Sequence, residues 1–271
     1  GESAYQCLAS NLESQRLTML LSTRDWHQRY QQQAGWTRSI RAYLIRRHEI
    51  GAGKRVLEVG CGTGAVTSEL SVNSTCVVHG LDINFPNLSF AVKADNATRY
   101  TAGDALALPY ASGSFDAVCC HFFLLWIRDV PSVLAEMRRV TRPGGTILAL
   151  AEPDYAGRID FPDSLSELGQ WQALALGSQG AQPNIGRRLM AEFLGAGYEQ
   201  VETGLMGGQW KAAYDSAVFE AEWKILESDL AVMVSPSRLQ ALRRMDEVAL
   251  RKGERILFVP TFYATGKKPL S

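Results

Sequence analysis

A short apolar run that ends in three closely spaced glycines constrains the fold of this chain more than any other feature. The run is Val56-Leu57-Glu58-Val59-Gly60-Cys61-Gly62-Thr63-Gly64-Ala65. Valine and leucine favour a buried strand, and glycine lets the backbone turn sharply and approach a ligand where a Cβ would collide. Residues 65–70 then begin a predicted helix. This strand, turn and helix predict an α/β protein with a ligand site at the turn.

The glycine spacing distinguishes this turn from one that binds a dinucleotide. Dinucleotide-binding folds use G-x-G-x-x-G, with the following helix facing a pyrophosphate. This chain has E-x-G-x-G-x-G instead. The carboxylate of Glu58 would repel a phosphate and suit an ammonium group. The turn therefore favours a ligand with an amino acid tail and no phosphate over NAD.

Two further acidic residues follow apolar runs at positions where a nucleoside can bind. Asp82 comes directly after residues 76–81, and an acid at the tip of a second strand can accept hydrogen bonds from both ribose hydroxyls. Asp104 lies in Gly103-Asp104-Ala105, where its carboxylate can accept a hydrogen bond from an adenine amino group. Residues 115–121 form a fourth predicted strand, and a turn at residues 142–145 precedes a fifth strand at 146–151.

With these motifs in this order, residues 54–152 resemble the class I S-adenosylmethionine-dependent methyltransferases, especially the small-molecule enzymes of the ubiquinone and menaquinone type. The resemblance implies a doubly wound α/β fold of the Rossmann-like methyltransferase type. Its seven-stranded sheet is mostly parallel with an antiparallel last strand, and N-terminal helices and a helical cap complete it. The implied reaction is in-line transfer of a methyl group from S-adenosylmethionine to a small-molecule acceptor, with S-adenosylhomocysteine as product.

The same resemblance assigns the cofactor site residue by residue. The acid at position 82 would hold the ribose, Ile83 would pack on the adenine, and His121 would close the pocket after the fourth strand. The full set of implied cofactor-binding residues is Glu58, Gly60, Cys61, Gly62, Thr63, Gly64, Asp82, Ile83, Gly103, Asp104, Ala105 and His121.

Candidates for contact with the acceptor come from segments that flank the sheet. Tyr30 and Trp36 fall shortly before the first strand, where Thr37 is also expected to help cover the cofactor. Glu152 and Tyr155 follow the fifth strand and would overhang the carboxyl ends of the strands, where ligands of open parallel sheets bind. His121 and Tyr155 are the candidate catalytic residues, since a neutral-range histidine can act as a base. No magnesium-binding cluster of Asp and Asn is evident, so no metal is expected.

The chain divides into a helical lid and one catalytic domain. Residues 1–50 are the expected lid, and residues 51–271 are the expected methyltransferase domain, with helical cap insertions at about 153–180 and 212–253. A sixth strand is predicted at 200–209 and a seventh at 255–265. Two groups of charges are predicted to face solvent: Arg38, Arg41, Arg46 and Arg47 on the lid, and Glu220, Glu222, Lys224, Glu227 and Asp229 on the cap.

Composition supports this interpretation without identifying the acceptor. Lys plus Arg equals Asp plus Glu at 28 each, which gives no basic excess for a nucleic-acid partner. The five cysteines form no C-x-x-C pair and fit a reducing compartment. No apolar run is long enough to span a membrane and no signal peptide is evident, so a cytoplasmic location is expected. The oligomeric state is not indicated.

Two other functions remain open at this stage. A non-catalytic S-adenosylmethionine-binding protein would carry the same motifs as an enzyme. A nicotinamide-dependent oxidoreductase would share the strand, turn and helix, although the glycine spacing and Glu58 favour it less.

Overall fold

The protein is built around a seven-stranded sheet with helices on both faces. The structure is a computed structural model that describes residues 21–74, 76–208, 210 and 213–270. The strands of the main sheet are β1 (Arg55–Val59), β2 (Val77–Asp82), β3 (Arg99–Ala102), β4 (Phe115–Cys120), β5 (Thr141–Pro153), β7 (Glu199–Met206) and β9 (Thr261–Lys267). Their order is β3-β2-β1-β4-β5-β9-β7, with β9 antiparallel to both of its neighbours. The predicted fold class is therefore confirmed.

Strand alternation divides the interior into two apolar layers. Leu57 and Val59 of β1 join one layer, which the helices α4 (Val130–Val140) and α6 (Leu189–Gly195) cover. Val56 joins the other layer, beneath α1 (Thr23–Arg47) and α2 (Ala65–Ser74). Because side chains alternate along a strand, Glu58 points into this second layer, under α1.

Helix α1 is a single element that serves both the sheet and the site. Ser22 caps it, accepting from the Asp25 amide at 3.2 Å while the Asp25 carboxylate accepts from the Ser22 amide at 2.8 Å. Its 25 residues span about 37 Å at the usual helical rise. Its later part packs on the sheet through Ala34 and Leu44, and its earlier part extends beyond the sheet edge. The expected lid at 1–50 therefore includes a structural helix, while residues 1–20 lie outside the described residues.

The predicted seventh strand is two strands, which corrects the sequence analysis. Residues Ile256–Phe258 form β8, which leaves the main sheet and pairs antiparallel with β6 (Ile159–Phe161) in a separate ribbon. The chain joins the main sheet only at β9. Pro260 lies between the two strands and has no amide hydrogen to extend a ladder, which explains the interruption. Strand β5 also starts earlier than predicted, at Thr141. Residues 143–145 form a bulge within its pairing with β4 and do not precede the strand as a separate turn.

The remaining helices form a cap with its own core. They are α5 (Ser166–Ser178), α7 (Ser216–Leu230) and α8 (Pro236–Arg251), while α3 (Phe85–Ala94) follows β2 in the main domain. The cap core surrounds the fully buried Trp223 and includes Phe219, Leu226 and Leu242. Helices α7 and α8 both fall within the helical segment predicted at about 212–253. No helix in the described parts of the chain is long and apolar enough to cross a membrane.

A buried ionic network ties the cap to the ribbon. Arg158 binds Asp160 through two hydrogen bonds of 2.7 and 3.0 Å. Arg255 donates to Asp160 at 2.7 Å and to Asp246 at 2.6 Å, and the indole N–H of Trp223 donates to Asp246 at 2.8 Å. These four charged side chains are at most 10% exposed. Each buried charge thus has an opposite charge and further hydrogen bonds, as burial of ions requires.

The structure corrects the predicted solvent exposure of one lid residue and of several cap residues. Arg41 is fully buried, although Arg38, Arg46 and Arg47 are exposed as expected. Three acids of the cap run are half-buried: Glu222 pairs with Arg29 of α1, Glu227 pairs with Arg243 of α8, and Asp229 accepts a hydrogen bond from Gln179. Glu220 and Lys224 do face solvent. In each case the helical period places the residue next to a neighbouring element.

Candidate active site

The glycine turn lies between the ends of β1 and β2 and has the shape the sequence predicts. Gly60, Gly62 and Gly64 all adopt positive φ angles, of 73°, 53° and 80°. The amides of Gly60 and Cys61 both donate to the carbonyl of Leu81, which fixes the turn against β2. This left-handed backbone is the conformation that requires glycine.

Two aromatic rings cover the outer face of this turn. A Cβ at Gly60 would collide with the ring of Phe123, and one at Gly62 would lie 3.1 Å from the ring of Tyr30. Tyr30 comes from α1 and Phe123 from the segment after β4. A ligand on the glycine turn would therefore meet aromatic walls from two different elements.

Asp82 joins the end of β2 to the glycine turn. Its Oδ2 accepts from the Gly62 amide at 2.7 Å and its Oδ1 accepts from the Asn84 amide at 2.8 Å. Each oxygen of a carboxylate has two acceptor sites, so both oxygens can accept one more hydrogen bond. Burial raises the pKa of Tyr30 to about 12, and the nearby charge of Asp82 is the second cause of this increase. A pair of ribose hydroxyls fits this carboxylate.

The neighbouring edge of the sheet exposes apolar side chains beside an acid. Ile83 is 73% exposed and Leu106 is 49% exposed, after β2 and β3 respectively. Asp104 is also exposed, and its Oδ1 accepts from the Leu106 amide at 2.9 Å. Gly103 packs closely against Leu81 and Pro109, while Ala105 is buried. An apolar edge with one carboxylate suits a flat heterocycle that carries an amino group.

Glu58 lies below the turn and not on its ligand face, which argues against its predicted contact with the cofactor. Its side chain is 2% exposed and accepts from the hydroxyl of Thr67. Burial raises the pKa of Glu58 to about 8, against the opposing effects of Thr67 and the charge of Arg41. Glu58 is therefore positioned to stabilise the turn from within the lid-side layer.

His121 is bound to the lid. Its Nε2 lies 2.8 Å from the hydroxyl of Thr37 on α1, so Thr37 is next to the site, as expected. Burial, with the nearby charge of Arg41, lowers the pKa of His121 to about 3. An imidazole with so low a pKa is a weak base at neutral pH, which argues against His121 as the general base.

Glu152 lies within β5, near its end, and does not follow the strand as predicted; its side chain fixes the loop after β4. It is fully buried, and its Oε1 accepts from the amides of Phe123 at 3.0 Å and Leu124 at 2.9 Å, while Oε2 accepts from Leu125 at 3.2 Å. Phe122, with φ of 49°, turns these amides toward it. Burial raises the pKa of Glu152 to about 7, opposed by these three amides. With both oxygens engaged, Glu152 holds Phe123 in place, which argues against contact with an acceptor.

Tyr155 packs against the sheet core just after the end of β5. It begins a short 3-10 turn after β5, and its hydroxyl makes no hydrogen bond to any other described residue. Burial raises its pKa, with charges from Arg29, Arg158, Asp229 and Glu222 acting in both directions. Trp36 is 55% exposed and its ring lies under the guanidinium of Arg29, at 4.9 Å from the centroid. Within the described residues, no group of three or more His, Cys, Asp and Glu could hold a metal ion.

Several residues at the site were missed by sequence reasoning. His27 Nδ1 lies 2.8 Å from the buried hydroxyl of Thr63, so α1 is also fixed to the glycine turn. Arg41 lies on the same helical stripe as Ala34, Thr37 and Leu44, all of them buried. That spacing of three and four residues was a usable signal for the burial of Arg41. For Arg29 and Phe123, no comparable local pattern exists.

Comparison with known proteins identifies the family of this chain. A family profile described as a methyltransferase domain matches residues 57–149. A demethylmenaquinone methyltransferase of Oceanobacillus iheyensis is 32% identical over 185 residues, which are 61% of this chain and 78% of that protein. A malonyl-(acyl-carrier protein) O-methyltransferase of Erwinia pyrifoliae is 35% identical over 119 residues, but the chain spans only 45% of that relative's length.

A solved structure shows the same fold. The Haemonchus contortus phosphoethanolamine N-methyltransferase 2, in complex with phosphomonomethylethanolamine and S-adenosylhomocysteine, has a TM-score of 0.57 and 17% identity, over 92% of this chain and 61% of that chain. With the Oceanobacillus relative covered over 78% of its length, this chain belongs to the class I S-adenosylmethionine-dependent methyltransferases.

Proposed function

We propose that this protein transfers a methyl group from S-adenosylmethionine to a small-molecule acceptor bound between α1 and the cap. The observation that carries the proposal is Asp82. Its carboxylate is fixed by two backbone amides beside a glycine turn, with acceptor sites left for two hydroxyls. The exposed side chains of Ile83 and Leu106 next to it supply the apolar surface that an adenine ring needs.

The residues that would hold the cofactor fall into three groups. Gly60, Gly62 and Gly64 let the turn approach it closely, and Asp82 would bind the ribose. The adenine would lie at the edge formed by Ile83, Asp104 and Leu106. When bound, S-adenosylmethionine supplies a methyl carbon attached to a positively charged sulfur, which is the electrophile of the reaction.

The contribution of the protein is alignment and exclusion of water. The rings of Tyr30 and Phe123 wall the glycine turn with apolar surface, and Glu152 fixes the backbone of Phe123. Holding two reactants in line replaces a bimolecular encounter, which is worth several kcal/mol. A dry environment favours a step in which charge is dispersed.

The lid and cap assignments follow from the same contacts. We propose that α1 acts as the lid, because Tyr30 and His27 contact the glycine turn while Asp25 and Arg29 contact α7 of the cap. The cap is formed by residues within the expected insertions at 153–180 and 212–253. Closure of α1 would enclose both the cofactor and the acceptor.

Three measurements test the proposal. Isothermal titration with S-adenosylmethionine and S-adenosylhomocysteine should give saturable binding, and no detectable heat at about millimolar ligand would contradict it. A parallel fluorescence titration with NADH should show no saturation, which separates the proposal from a nicotinamide-dependent enzyme. Turnover of cofactor with a radiolabelled methyl group against a panel of metabolites then distinguishes an enzyme from a protein that only binds the cofactor.

A further inference from the structure

Helix α1 carries two buried polar side chains on the face that it turns to the sheet. Tyr30, Ala34, Thr37, Arg41 and Leu44 are spaced by three and four residues, so they lie along one stripe. The stripe starts at the glycine turn with Tyr30 and ends on the sheet with Leu44. Thr37 is 2% exposed and Arg41 is fully buried. Polar groups in such positions are costly unless their hydrogen bonds are made, so the partners of these two residues indicate their role.

Thr37 contacts His121, which lies beside the glycine turn. The pairing of β1 with β4 reaches Glu58 and Cys119, two residues before Gly60 and His121 respectively. Continued along the two strands, this register brings His121 next to Gly60. The Nε2 atom of His121 lies 2.8 Å from the Thr37 hydroxyl oxygen. His121 is therefore held between α1 and the first glycine of the turn.

Arg41 limits what the Thr37 hydroxyl can do. Nη1 of Arg41 donates to the Thr37 oxygen, and Nη2 donates to Glu69 on α2 at 2.5 Å. A guanidinium carries no acceptor, so Thr37 must accept from Arg41. The single hydrogen of the hydroxyl then goes either to His121 Nε2 or to a carbonyl of its own helix, the nearer of which is 3.1 Å away. The direction of this hydrogen sets which ring nitrogen of His121 is protonated.

The positive charge of Arg41 favours the first arrangement. Hydrogen bonds strengthen one another when they run in one direction, as from Arg41 through Thr37 to a bare Nε2. The other arrangement would aim an N–H of His121 toward the guanidinium. Burial, with the charge of Arg41 as the second cause, lowers the pKa of His121 to about 3, so its ring is neutral at neutral pH and carries one hydrogen. That hydrogen is then on Nδ1.

The Nδ1 atom of His121 is available to a ligand. It makes no hydrogen bond to any residue in the ranges that the structure describes. It is also not among the enclosed side-chain atoms of those residues that lack a partner. Nδ1 is therefore accessible from outside the protein, on a residue next to Gly60.

A carboxylate on the ligand would need a neutral donor at this place. The glycine turn favours a ligand with an amino acid tail, and such a tail carries a carboxylate. Two guanidinium groups of α1 are already paired, since Arg29 binds Glu222 and Arg41 binds Glu69. An N–H of a neutral imidazole can donate to a carboxylate oxygen without a further buried charge.

We infer that Thr37 and Arg41 are positioning residues that hold His121 as the neutral Nδ1–H tautomer, which donates a hydrogen bond to the carboxylate of the cofactor's amino acid tail. The contact with the cofactor rests on the proposed function, whereas the tautomer does not. In this account His121 is a donor to the cofactor and not a base. Thr37 acts only through His121, and Arg41 acts only through Thr37.

NMR of protein labelled with nitrogen-15 histidine reads the tautomer directly, because protonated and bare ring nitrogens resonate in separate regions. His121→Gln assigns the signals of this residue among the four histidines. In the unliganded wild type at neutral pH, we expect the Nδ1–H form to exceed the Nε2–H form by about tenfold or more, as a hydrogen bond linked to a charge allows. A majority of the Nε2–H form would overturn the inference.

Two substitutions of Thr37 test its role. Thr37→Val keeps the shape and removes the hydroxyl, so the excess of the Nδ1–H form should fall to about threefold or less. Thr37→Ser keeps the hydroxyl and should keep the wild-type ratio. Thr203→Val, on the edge strand β7 and three strands away from β4, is the matched control and should change nothing. An unchanged ratio in Thr37→Val, or a lost excess in Thr37→Ser, would overturn the inference.

Two ligands test the contact with the carboxylate. Saturation with S-adenosylhomocysteine should shift the Nδ1–H proton signal of His121 to lower field, and its decarboxylated analogue should leave that signal in place. No shift with S-adenosylhomocysteine, or an equal shift with both ligands, would overturn the contact. Failure of S-adenosylhomocysteine to bind, measured first by isothermal titration, would instead contradict the proposed function and leave the result on the tautomer standing.

Discussion

The cofactor side of the sheet and the cap are stabilised in different ways. On the cofactor side, apolar strands bring a glycine turn and Asp82 together, and backbone amides engage the carboxylate. In the cap, the core around Trp223 is joined by four buried charges from segments up to 97 residues apart, between Arg158 and Arg255. The first arrangement depends on backbone conformation, whereas the second depends on side chains that meet only after folding.

This difference predicts different responses to substitution. A backbone site tolerates changes elsewhere, because its amides are fixed by the local turn. A buried charge network loses much of its energy when one partner is removed, because another charge is left uncompensated. Substitutions in the cap network should therefore mainly lower the free energy of unfolding. Substitutions at the glycine turn should mainly weaken cofactor binding.

The largest expected effect is on the cap network. Asp246→Ala removes one partner of Arg255 and the acceptor of the Trp223 indole, and should lower the free energy of unfolding by about 3–5 kcal/mol. Urea unfolding followed by tryptophan fluorescence measures the loss. Glu220→Ala, on the exposed face of the cap, is the control and should change stability little. The affinity for S-adenosylmethionine should stay within about twofold; its collapse would show that the two regions form one unit.

The next effect is the pH dependence that Glu58 confers on the cofactor side. The folded protein holds the Glu58 proton up to a pKa of about 8, and the unfolded chain releases it near 4.5. The resulting stability is present at acid pH and is lost as pH rises toward 8. Glu58→Gln removes this dependence. The free energy of unfolding of the variant, relative to that of the wild type, should therefore increase by on the order of 2–3 kcal/mol between about pH 5 and pH 8.

Urea unfolding of both proteins across this range makes the comparison. Glu152 also has a raised pKa, about 7, but it is present in both proteins and its contribution cancels in the difference. Parallel stability curves would mean that Glu58 is not a buried neutral acid in the folded protein.

A smaller effect is expected on cofactor affinity when Asp82, the carboxylate proposed to bind the ribose, is neutralised. Asp82→Asn should raise the Kd for S-adenosylmethionine by about tenfold to a hundredfold, since hydrogen bonds to a charged group contribute about 1.5–3 kcal/mol. Isothermal titration measures this, with Asp163→Asn on the exposed surface of the cap as a matched control. An unchanged Kd would remove Asp82 from the cofactor site.

The smallest effect concerns the contact between the two regions. Lys224 of the cap binds Asp25 of α1 at 2.6 Å, and this bond, with those from Ser22, lowers the pKa of Asp25 to about 2. Lys224→Met should raise the Asp25 pKa toward 3.8, as an NMR titration of the carboxyl would show. Because the pair is exposed, the change in unfolding free energy at neutral pH should stay below about 1 kcal/mol, and it should vanish as pH falls through 2. A larger loss would mean that the lid and cap are tightly coupled.

The sequence predicted the elements whose signals are local. The strand before Gly60, the turn, and the acids at 82 and 104 are each recognisable within about ten residues, and the structure brings the turn and Asp82 together as expected. The predicted solvent exposure of Arg41 was wrong, and the inward orientation of Glu152 was not predicted, because distant groups decide both. Arg41 is buried because it meets Glu69 and Thr37, and Glu152 faces inward because three loop amides converge on it.

The cap and the ribbon were also hard to predict from local sequence patterns. Glu222 belongs to a charged run typical of a solvated helix face, yet it pairs with Arg29 of α1 and is half-buried. The sequence analysis predicted one strand at 255–265 and did not separate β8 from β9. Strand β8 pairs with β6, nearly a hundred residues away, and such a pairing leaves no local sequence pattern.

The amino-acid sequence by itself determined the sheet, the glycine turn and the family of this protein, because strand alternation and positive-φ glycines are properties of neighbouring residues. Only the tertiary structure decided which charges are buried and which pair with charges on another element. The reason is physical: the ionisation and exposure of a side chain depend on the groups that surround it, and those groups come from parts of the chain that only folding brings together.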